Sequence, residues 1–251
     1  MAARPPPRRH SDALANDGMN TEAPPRPAAA LSRIDVVSDA ICPWCWIGKR
    51  HLAAALERLA GEGERFTVHW RPFQLNPDMP PEGVERAAYR AAKFGSAERS
   101  AELDAQVAAA GTAAGLEFRF DRQRRTPNTV DAHRLIRRAG EVGAETQDAV
   151  VEALFRAYFQ DGRDIGDAAV LAEVASAAGL DGAAAFLASG EGGAEVRAED
   201  AGFRGLGISG VPSFALAGHV LFSGAVPAER MAEAFRRALE ILRGREAAGG
   251  G

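Results

Sequence analysis

The chain has 251 residues, of which 46% are hydrophobic and 25% are charged, and its formal net charge is −4. These values are typical of a globular protein with a substantial core. The negative net charge argues against nucleic acid as a partner, and the lack of an apolar run of roughly 18 residues argues against a membrane partner.

Both ends of the chain differ in composition from the rest. Residues 1–32 are rich in Pro, Ala and Arg and show no periodicity, which predicts a disordered N-terminal tail. This segment lacks the continuous apolar stretch of a secretory signal, so we expect a cytoplasmic protein. Residues 244–251 are predicted to form a flexible tail.

The first elements predict a β–α–β unit. "RIDVVSD" indicates a buried strand, and apolar residues then recur every three or four positions from Pro43 to about Gly61, which predicts a helix. "RFTVHWRPF" is aromatic and β-branched and predicts a second strand. Parallel strands joined by one helix form a right-handed crossover.

A long helical segment separates this unit from a second group of strands. Residues 82–206 have helical periodicity almost throughout, whereas "PSFALAG" and "HVLFSG" predict a hairpin and "PAERMAEAFRRALEILRG" predicts a closing helix. Two strands alone cannot bury both of their faces. We therefore expect one α/β domain, residues 33–81 and 207–243, interrupted by a helical insertion over 82–206.

The only two cysteines of the chain, Cys42 and Cys45, lie at the start of the first predicted helix. A sulfur at the positive end of a helix dipole favours the thiolate, so we expect Cys42 to be reactive, partly exposed and lowered in pKa. Cys45, one turn further on, is predicted to be buried and to resolve a mixed disulfide. Pro43 suits the first helical turn, and Trp44 offers apolar surface to a substrate.

Two other interpretations of the cysteine pair are a zinc site and two inert core thiols. A structural zinc site takes four ligands, and the five histidines show no matching spacing, so no metal is expected. Unpaired cysteines are often buried, but a strand end followed by a helix start is where α/β folds place their sites. In a reducing compartment redox chemistry is the favoured interpretation, with no cofactor beyond the redox-active disulfide.

The segment "DAICPWCWIGKRHL" resembles the active-site segment of the DsbA-like oxidoreductases of the thioredoxin superfamily, in the FrnE-like branch. The resemblance continues through "WRPFQLNP", "NTVDAHRL", "LFRAYF" and "GVPSF". It implies an α/β, thioredoxin-like fold with a large all-helical insertion, and thiol–disulfide oxidoreductase or isomerase activity. "GVPSF" resembles the cis-proline loop of the family. The resemblance therefore implies that Pro212 is cis and faces the cysteines, with Val211 binding substrate, although the residues alone favour an ordinary trans proline.

Two further groups are candidates for substrate binding. Asn128 is predicted to cap a helix and His133 to pack within it, but if that helix starts beside the cysteines, both line a substrate groove. The arginines of "RQRRTP", Arg122, Arg124 and Arg125, form either a solvated loop or a site for the carboxylates of glutathione.

Two other functions stay open. Kappa-class glutathione transferases and 2-hydroxychromene-2-carboxylate isomerases share the fold, but they typically carry serine at the position of Cys42 and lack the second cysteine. A redox-inert binding or chaperone-like module is the third alternative. The expected partners are protein or small-molecule thiols and disulfides, with glutathione as a candidate co-substrate. The chain is either a monomer or a homodimer.

Overall fold

The described part of the chain, residues 31–249 of a computed structural model, is built on a four-stranded sheet with the order β2-β1-β5-β6. Its strands are β1 (Arg33–Ser38), β2 (Thr67–Pro72), β5 (Ser213–Leu216) and β6 (His219–Ser223). β1 pairs with β2 in parallel and with β5 antiparallel, and β5 and β6 form the predicted hairpin. The parallel pair is joined by helix α1 (Pro43–Gly61), as predicted.

The segment between β2 and β5 is mainly helical. Its helices are α2 (Arg86–Phe94), α3 (Ala97–Ala113), α4 (Val130–Val142), α5 (Ala144–Phe159), α6 (Ala168–Ala177), α7 (Ala183–Ser189) and α8 (Gly193–Gly205). α4 and α5 pack against β2, whereas the closing helix α9 (Ala228–Gly249) packs against α1. None of the helices in residues 31–249 is long and apolar enough to cross a bilayer.

The prediction that the insertion is all-helical needs one correction. Two short strands, β3 (Val84–Glu85) and β4 (Arg125–Thr126), form an antiparallel ladder inside it. A Cβ placed on Gly83 would lie 2.7 Å from the carbonyl oxygen of Thr126, and this glycine has φ +68°, so only glycine fits this turn. A pair of two-residue strands is too short to produce a periodic pattern in the sequence.

The predicted tails also need correction where the structure describes them. Leu31 is only 6% exposed and belongs to the core, so the ordered chain begins before residue 33. At the other end α9 continues through 244–249, because "REAA" consists of good helix formers. Residues 1–30 and 250–251 lie outside the described residues, and the predicted domain boundaries stay a prediction.

The start of α1 is held in place by an aromatic cluster. Trp46 is fully buried, and its ring centroid lies 5.4 Å from that of Phe118, 6.1 Å from that of Phe155 and 5.9 Å from that of Phe159. Its indole nitrogen donates to the carboxylate of Glu152 at 3.3 Å. Because buried aromatic side chains contribute much of the packing energy of a core, this cluster fixes the cysteine-bearing turn against α5.

One buried amide joins the edge of the sheet to two helices. Gln147 of α5 accepts a hydrogen bond from the backbone N–H of Trp70 at 2.9 Å and donates to the carbonyl of Trp70 at 3.1 Å. It also donates to the carbonyl of Ile136 in α4 at 3.2 Å. Burial of a polar group is tolerated when its hydrogen bonds are made, so Gln147 holds β2, α4 and α5 together.

Candidate active site

The turn between β1 and α1 places both cysteines at the end of the sheet. Cys42 is the N-cap of α1, with φ −92° and ψ 111°, and Pro43 is the first helical residue. The N–H of Cys42 donates to the carbonyl of Asp39 and the N–H of Cys45 to the carbonyl of Cys42, both at 3.0 Å. Proline lacks an N–H, which the first helical turn does not require, so the sequence suits this geometry.

Cys42 is more buried than the sequence predicts. It is 4% exposed, and its Sγ points at the carbonyl oxygen of Val211, 3.6 Å away. The expectation of a partly exposed Cys42 is therefore wrong, because the segment before β5 lies against its sulfur. The neighbouring Trp44 is 43% exposed and forms the outer surface of this turn.

Cys45 lies fully inside the protein, as predicted. Burial raises the pKa of the Cys45 thiol well above its ordinary value, and a hydrogen bond with Cys42 raises it further. Neither cysteine forms a disulfide in this structure, which therefore represents the dithiol state. In that state Cys45 is held as a neutral thiol beside Cys42.

The segment facing the cysteines contains the expected cis proline. The Val211–Pro212 peptide bond is cis. Helix α1 passes very close to it: a Cβ placed on Gly48 would lie 2.9 Å from Cγ of Pro212 and 3.4 Å from Cζ of Phe214. Glycine at position 48 therefore permits the close approach of α1 to the Pro212 segment.

A cavity of about 380 Å³ opens beside Cys42. Besides Cys42, it brings together three of the predicted site residues, Pro43, Trp44 and Val211. Most of the rest of its wall comes from the β2–β3 connection, α2, α3, the segment between α3 and α4, and the end of α5. The cavity falls within the size range of small-molecule sites, roughly 300–1,000 Å³. In residues 31–249 no group of three or more His, Cys, Asp or Glu side chains could hold a metal ion.

Asn128 and His133 do not line this cavity, contrary to their prediction as substrate-binding residues. The amide of Asn128 donates to the carbonyl of Met79 at 2.6 Å and accepts from the N–H of Val130 at 3.0 Å. Its side chain thus binds the first residue of α4, although the N-cap position itself is Thr129. Asn128 therefore has a structural role at the start of α4, which agrees with its prediction as a residue that caps a helix.

His133 belongs to a buried polar cluster behind the cysteine turn. Its Nε2 lies 3.1 Å from the carbonyl oxygen of Phe73 and 3.3 Å from Oδ1 of Asp39. Asp39 is fully buried, and its other oxygen accepts from the N–H of Leu75 at 2.7 Å. The cluster links the cysteine turn to the chain following β2. Asp39 lies three residues before Cys42 in the sequence, but its position gave no indication that it would contact His133.

The arginines of the "RQRRTP" segment also lie away from the cavity wall. Arg122 and Arg124 are exposed, and Arg125 lies within 3.7 Å of Asp164. The cavity cations are instead Arg86, Arg90 and Lys93 of α2. Their spacing of four and three residues places them on one helical face, a signal that the sequence carried.

The comparisons with known proteins agree with this geometry. The family model for the DSBA-like thioredoxin domain matches residues 33–236. The chain belongs to the DSBA-like thioredoxin family. This family membership confirms the predicted fold class, and at the family level it supports a DsbA-like thiol–disulfide enzyme.

Individual relatives of this DSBA-like domain are similar over most of its length. A probable DsbA oxidoreductase, SCO1869 from Streptomyces coelicolor, is 34% identical, with a TM-score of 0.74 over 82% of this chain and 89% of that one. YwbO of Bacillus subtilis, an uncharacterised protein, is 30% identical over 152 residues, 60% of this chain and 68% of its own. The cytosolic disulfide reductase DsbM from Pseudomonas aeruginosa, solved with GSH, shares the fold at 20% identity and a TM-score of 0.54, over 85% of this chain and 98% of its own.

Proposed function

We propose that the protein is a thiol–disulfide oxidoreductase or isomerase that acts through Cys42 and Cys45 by a mixed-disulfide mechanism. The observation that carries the proposal is the difference between the two thiols. Cys42 borders a cavity at the start of α1, whereas Cys45 is fully buried one turn inward. A substrate can therefore reach one sulfur, and the second sulfur can reach only the first.

The reaction of the dithiol form with a disulfide takes two exchange steps. The thiolate of Cys42 attacks one substrate sulfur, the substrate S–S bond breaks, and the first substrate thiolate leaves and takes up a proton. Cys45 then loses its proton and attacks Sγ of Cys42, which releases the second substrate thiol and leaves a Cys42–Cys45 disulfide. Two electrons pass from the protein to the substrate, and the reverse sequence oxidises a dithiol.

The surroundings of Cys42 suit a substrate held by its sulfur. The start of α1 directs the positive end of the helix dipole at the position of Cys42, where an anionic sulfur forms during exchange. The raised pKa of Cys45 keeps that thiol protonated while Cys42 reacts, which assigns the two roles. The carbonyl of Val211, 3.6 Å from Sγ of Cys42, and the exposed ring of Trp44 both border the cavity and are the proposed substrate contacts.

Glutathione is part of this proposal as a co-substrate. A protein of the same fold, the disulfide reductase DsbM, was solved with GSH and is described as cytosolic. In the cytosol, glutathione could return the Cys42–Cys45 disulfide to the dithiol by the same two exchange steps. A cytoplasmic location and membership of the FrnE-like branch belong to the proposal as well.

Trapping the mixed disulfide tests the assignment of the two cysteines. In a Cys45→Ser variant the second step is blocked, so the reduced protein should accumulate a mixed disulfide at Cys42 with native, disulfide-intact insulin or with glutathione disulfide. Mass spectrometry of the tryptic peptide identifies the adduct. The matched Cys42→Ser variant should form almost none, because its remaining thiol is buried and largely protonated.

Two results would contradict the proposal. If Cys42→Ser traps substrate at Cys45 at least as fast as Cys45→Ser does at Cys42, the assignment of Cys42 as the attacking thiol is wrong. If neither variant forms an adduct, and the unaltered protein leaves insulin disulfides intact, the redox function is wrong and a redox-inert binding module becomes the better interpretation.

A further inference from the structure

The cavity beside Cys42 has one wall that is markedly cationic. Among its described lining residues are three cations, Arg86, Arg90 and Lys93, and one carboxylate, Asp104. Asp104 is shared by Arg86 at 2.9 Å and by Arg90 at 2.7 Å. The lining therefore carries two more positive than negative charges.

Two of the cations, Arg86 and Arg90, are partly removed from water. The side chains of Arg86 and Arg90 are 12% and 18% exposed, and burial is the main cause of a lowered pKa at Arg90. Arg90 also lies 4.7 Å above the ring of Phe94, and Arg86 5.3 Å above that of Phe120. Aromatic faces attract cations but do not neutralise them, and partly buried charges are costly unless paired. An anion in the cavity would supply the missing charge.

Lys93 is oriented by neutral groups. Its Nζ donates to the hydroxyl of Tyr89 at 2.8 Å and to the side-chain oxygen of Asn76 at 3.0 Å. Both partners are uncharged, so the ammonium keeps its full charge at the cavity wall. An ammonium can make three hydrogen bonds, and one donor is left for a ligand beyond these two contacts.

Most of the remaining wall is apolar, although polar groups such as Gln123 and Thr126 also line it. It contains Leu75, Leu103, Val107 and the aromatic rings of Trp44, Phe94, Phe120 and Phe159. Such a surface favours a hydrocarbon or aromatic body over a fully polar one. The cavity volume of about 380 Å³ accommodates a small molecule but not the folded part of a protein substrate.

We propose that this cavity binds a small organic disulfide that has an apolar or aromatic body and a carboxylate, with the carboxylate at Arg86, Arg90 and Lys93 and the sulfur at Cys42. The inference rests on the proposed function, because it takes Cys42 as the attacking thiol. The substrate S–S bond breaks as the bond to Cys42 forms, and Cys45 then displaces the second substrate thiol. The two electrons come from the dithiol of the protein, so a single turnover of the reduced protein needs no other reductant.

A matched pair of aromatic disulfides tests the cationic wall. Dithiodinicotinic acid carries a carboxylate on each ring, and dithiodipyridine has the same rings without it. The single-turnover rate constant of the reduced full-length protein is measured for each probe by stopped-flow absorbance of the released thione. The quantity compared is the rate constant for dithiodinicotinic acid divided by that for dithiodipyridine. Lys93→Met removes one charge-assisted hydrogen bond to the carboxylate and should lower this ratio about tenfold.

Arg99→Met is the matched control. Arg99 is an exposed cation of the next helix that pairs with Glu102 at 2.8 Å and does not line the cavity. Its removal should change the ratio by less than about twofold, since exposed charges at a distance are screened by salt. An equal fall in both variants, or an unchanged ratio in Lys93→Met, would overturn the proposed anion site.

The apolar wall is tested by ligands that cannot react. Naphthoate should protect Cys42 from alkylation by iodoacetamide at a concentration at least about tenfold lower than succinate, because it buries an aromatic body as well as a carboxylate. Equal protection by succinate would overturn the apolar half of the inference. If both aromatic disulfides oxidise the protein through Cys42 but the ratio is insensitive to Lys93, only the inference fails. If neither they nor insulin oxidise it, the proposed function itself fails.

Discussion

Replacement of Gly48 by alanine should disturb the active site without touching a cysteine. The added Cβ would lie 2.9 Å from Cγ of Pro212, whereas an ordinary carbon–carbon contact is about 3.4–4 Å. The Pro212 ring is closed onto the backbone and can adjust only by its pucker, so α1 or the Pro212 segment must supply much of the roughly 0.5 Å of extra separation. Alanine in a helix gains about 1 kcal/mol over glycine, and overpacking costs about 1–3 kcal/mol.

Gly61→Ala is the matched control, since Gly61 belongs to the same helix and has nothing within 4 Å of an added Cβ. We expect Gly48→Ala to be less stable than Gly61→Ala by about 1–3 kcal/mol in urea denaturation. Single-turnover oxidation of the reduced protein should slow about tenfold in Gly48→Ala only, because sub-ångström displacement of the groups around a reacting atom is costly. Equal stabilities and equal rates for the two variants would refute this account of the contact.

Three further changes have expected outcomes. Gln147→Met should lower the free energy of unfolding by about 2–4 kcal/mol, measured by urea denaturation, because it leaves buried backbone groups of Trp70 without partners. The pKa of Cys45 is raised in the folded protein, so above the ordinary pKa of a thiol the unfolded chain loses this proton while the folded chain keeps it. The free energy of unfolding of the reduced protein should therefore fall as the pH rises through that value. A reduced Cys45→Ala variant, compared by pH-dependent denaturation, should show a smaller loss. Asp39→Asn should lower the melting temperature, with a loss of about 1–3 kcal/mol in the free energy of unfolding. The amide oxygen of asparagine can still accept a hydrogen bond from the N–H of Leu75, but as a neutral acceptor it forms a weaker bond than a carboxylate does.

Much of the thioredoxin-like part could be predicted from the sequence because its signals are local. A β-branched run, a proline at a helix start and an amphipathic repeat are each contained within a few residues, and together they predicted β1, α1 and β2. The burial of Cys45 followed from the same pattern. The cis bond before Pro212 came from the resemblance, since nothing in the residues alone favoured it.

The surroundings of the cysteines could not be predicted in this way. The exposure of Cys42 is decided by Val211, which is 169 residues away in the chain, and that contact leaves no periodic signal. His133 lies on the predicted helix, but its partners Asp39 and Phe73 come from two other segments. The orientation of a buried polar side chain is set by such distant partners rather than by its position along a helix.

The hydrogen bonds of Gln147 have a consequence for how the protein can associate. Alternate residues of β2 turn their backbone groups away from β1, and these are Val68, Trp70 and Pro72. The backbone N–H and carbonyl of Trp70 are already bonded to the side-chain amide of Gln147, which takes the place of a residue in a further strand. Pro72 has no N–H to donate. This rim of the sheet is therefore closed to intermolecular β-pairing, and any strand added by another chain would have to join β6 at the opposite rim.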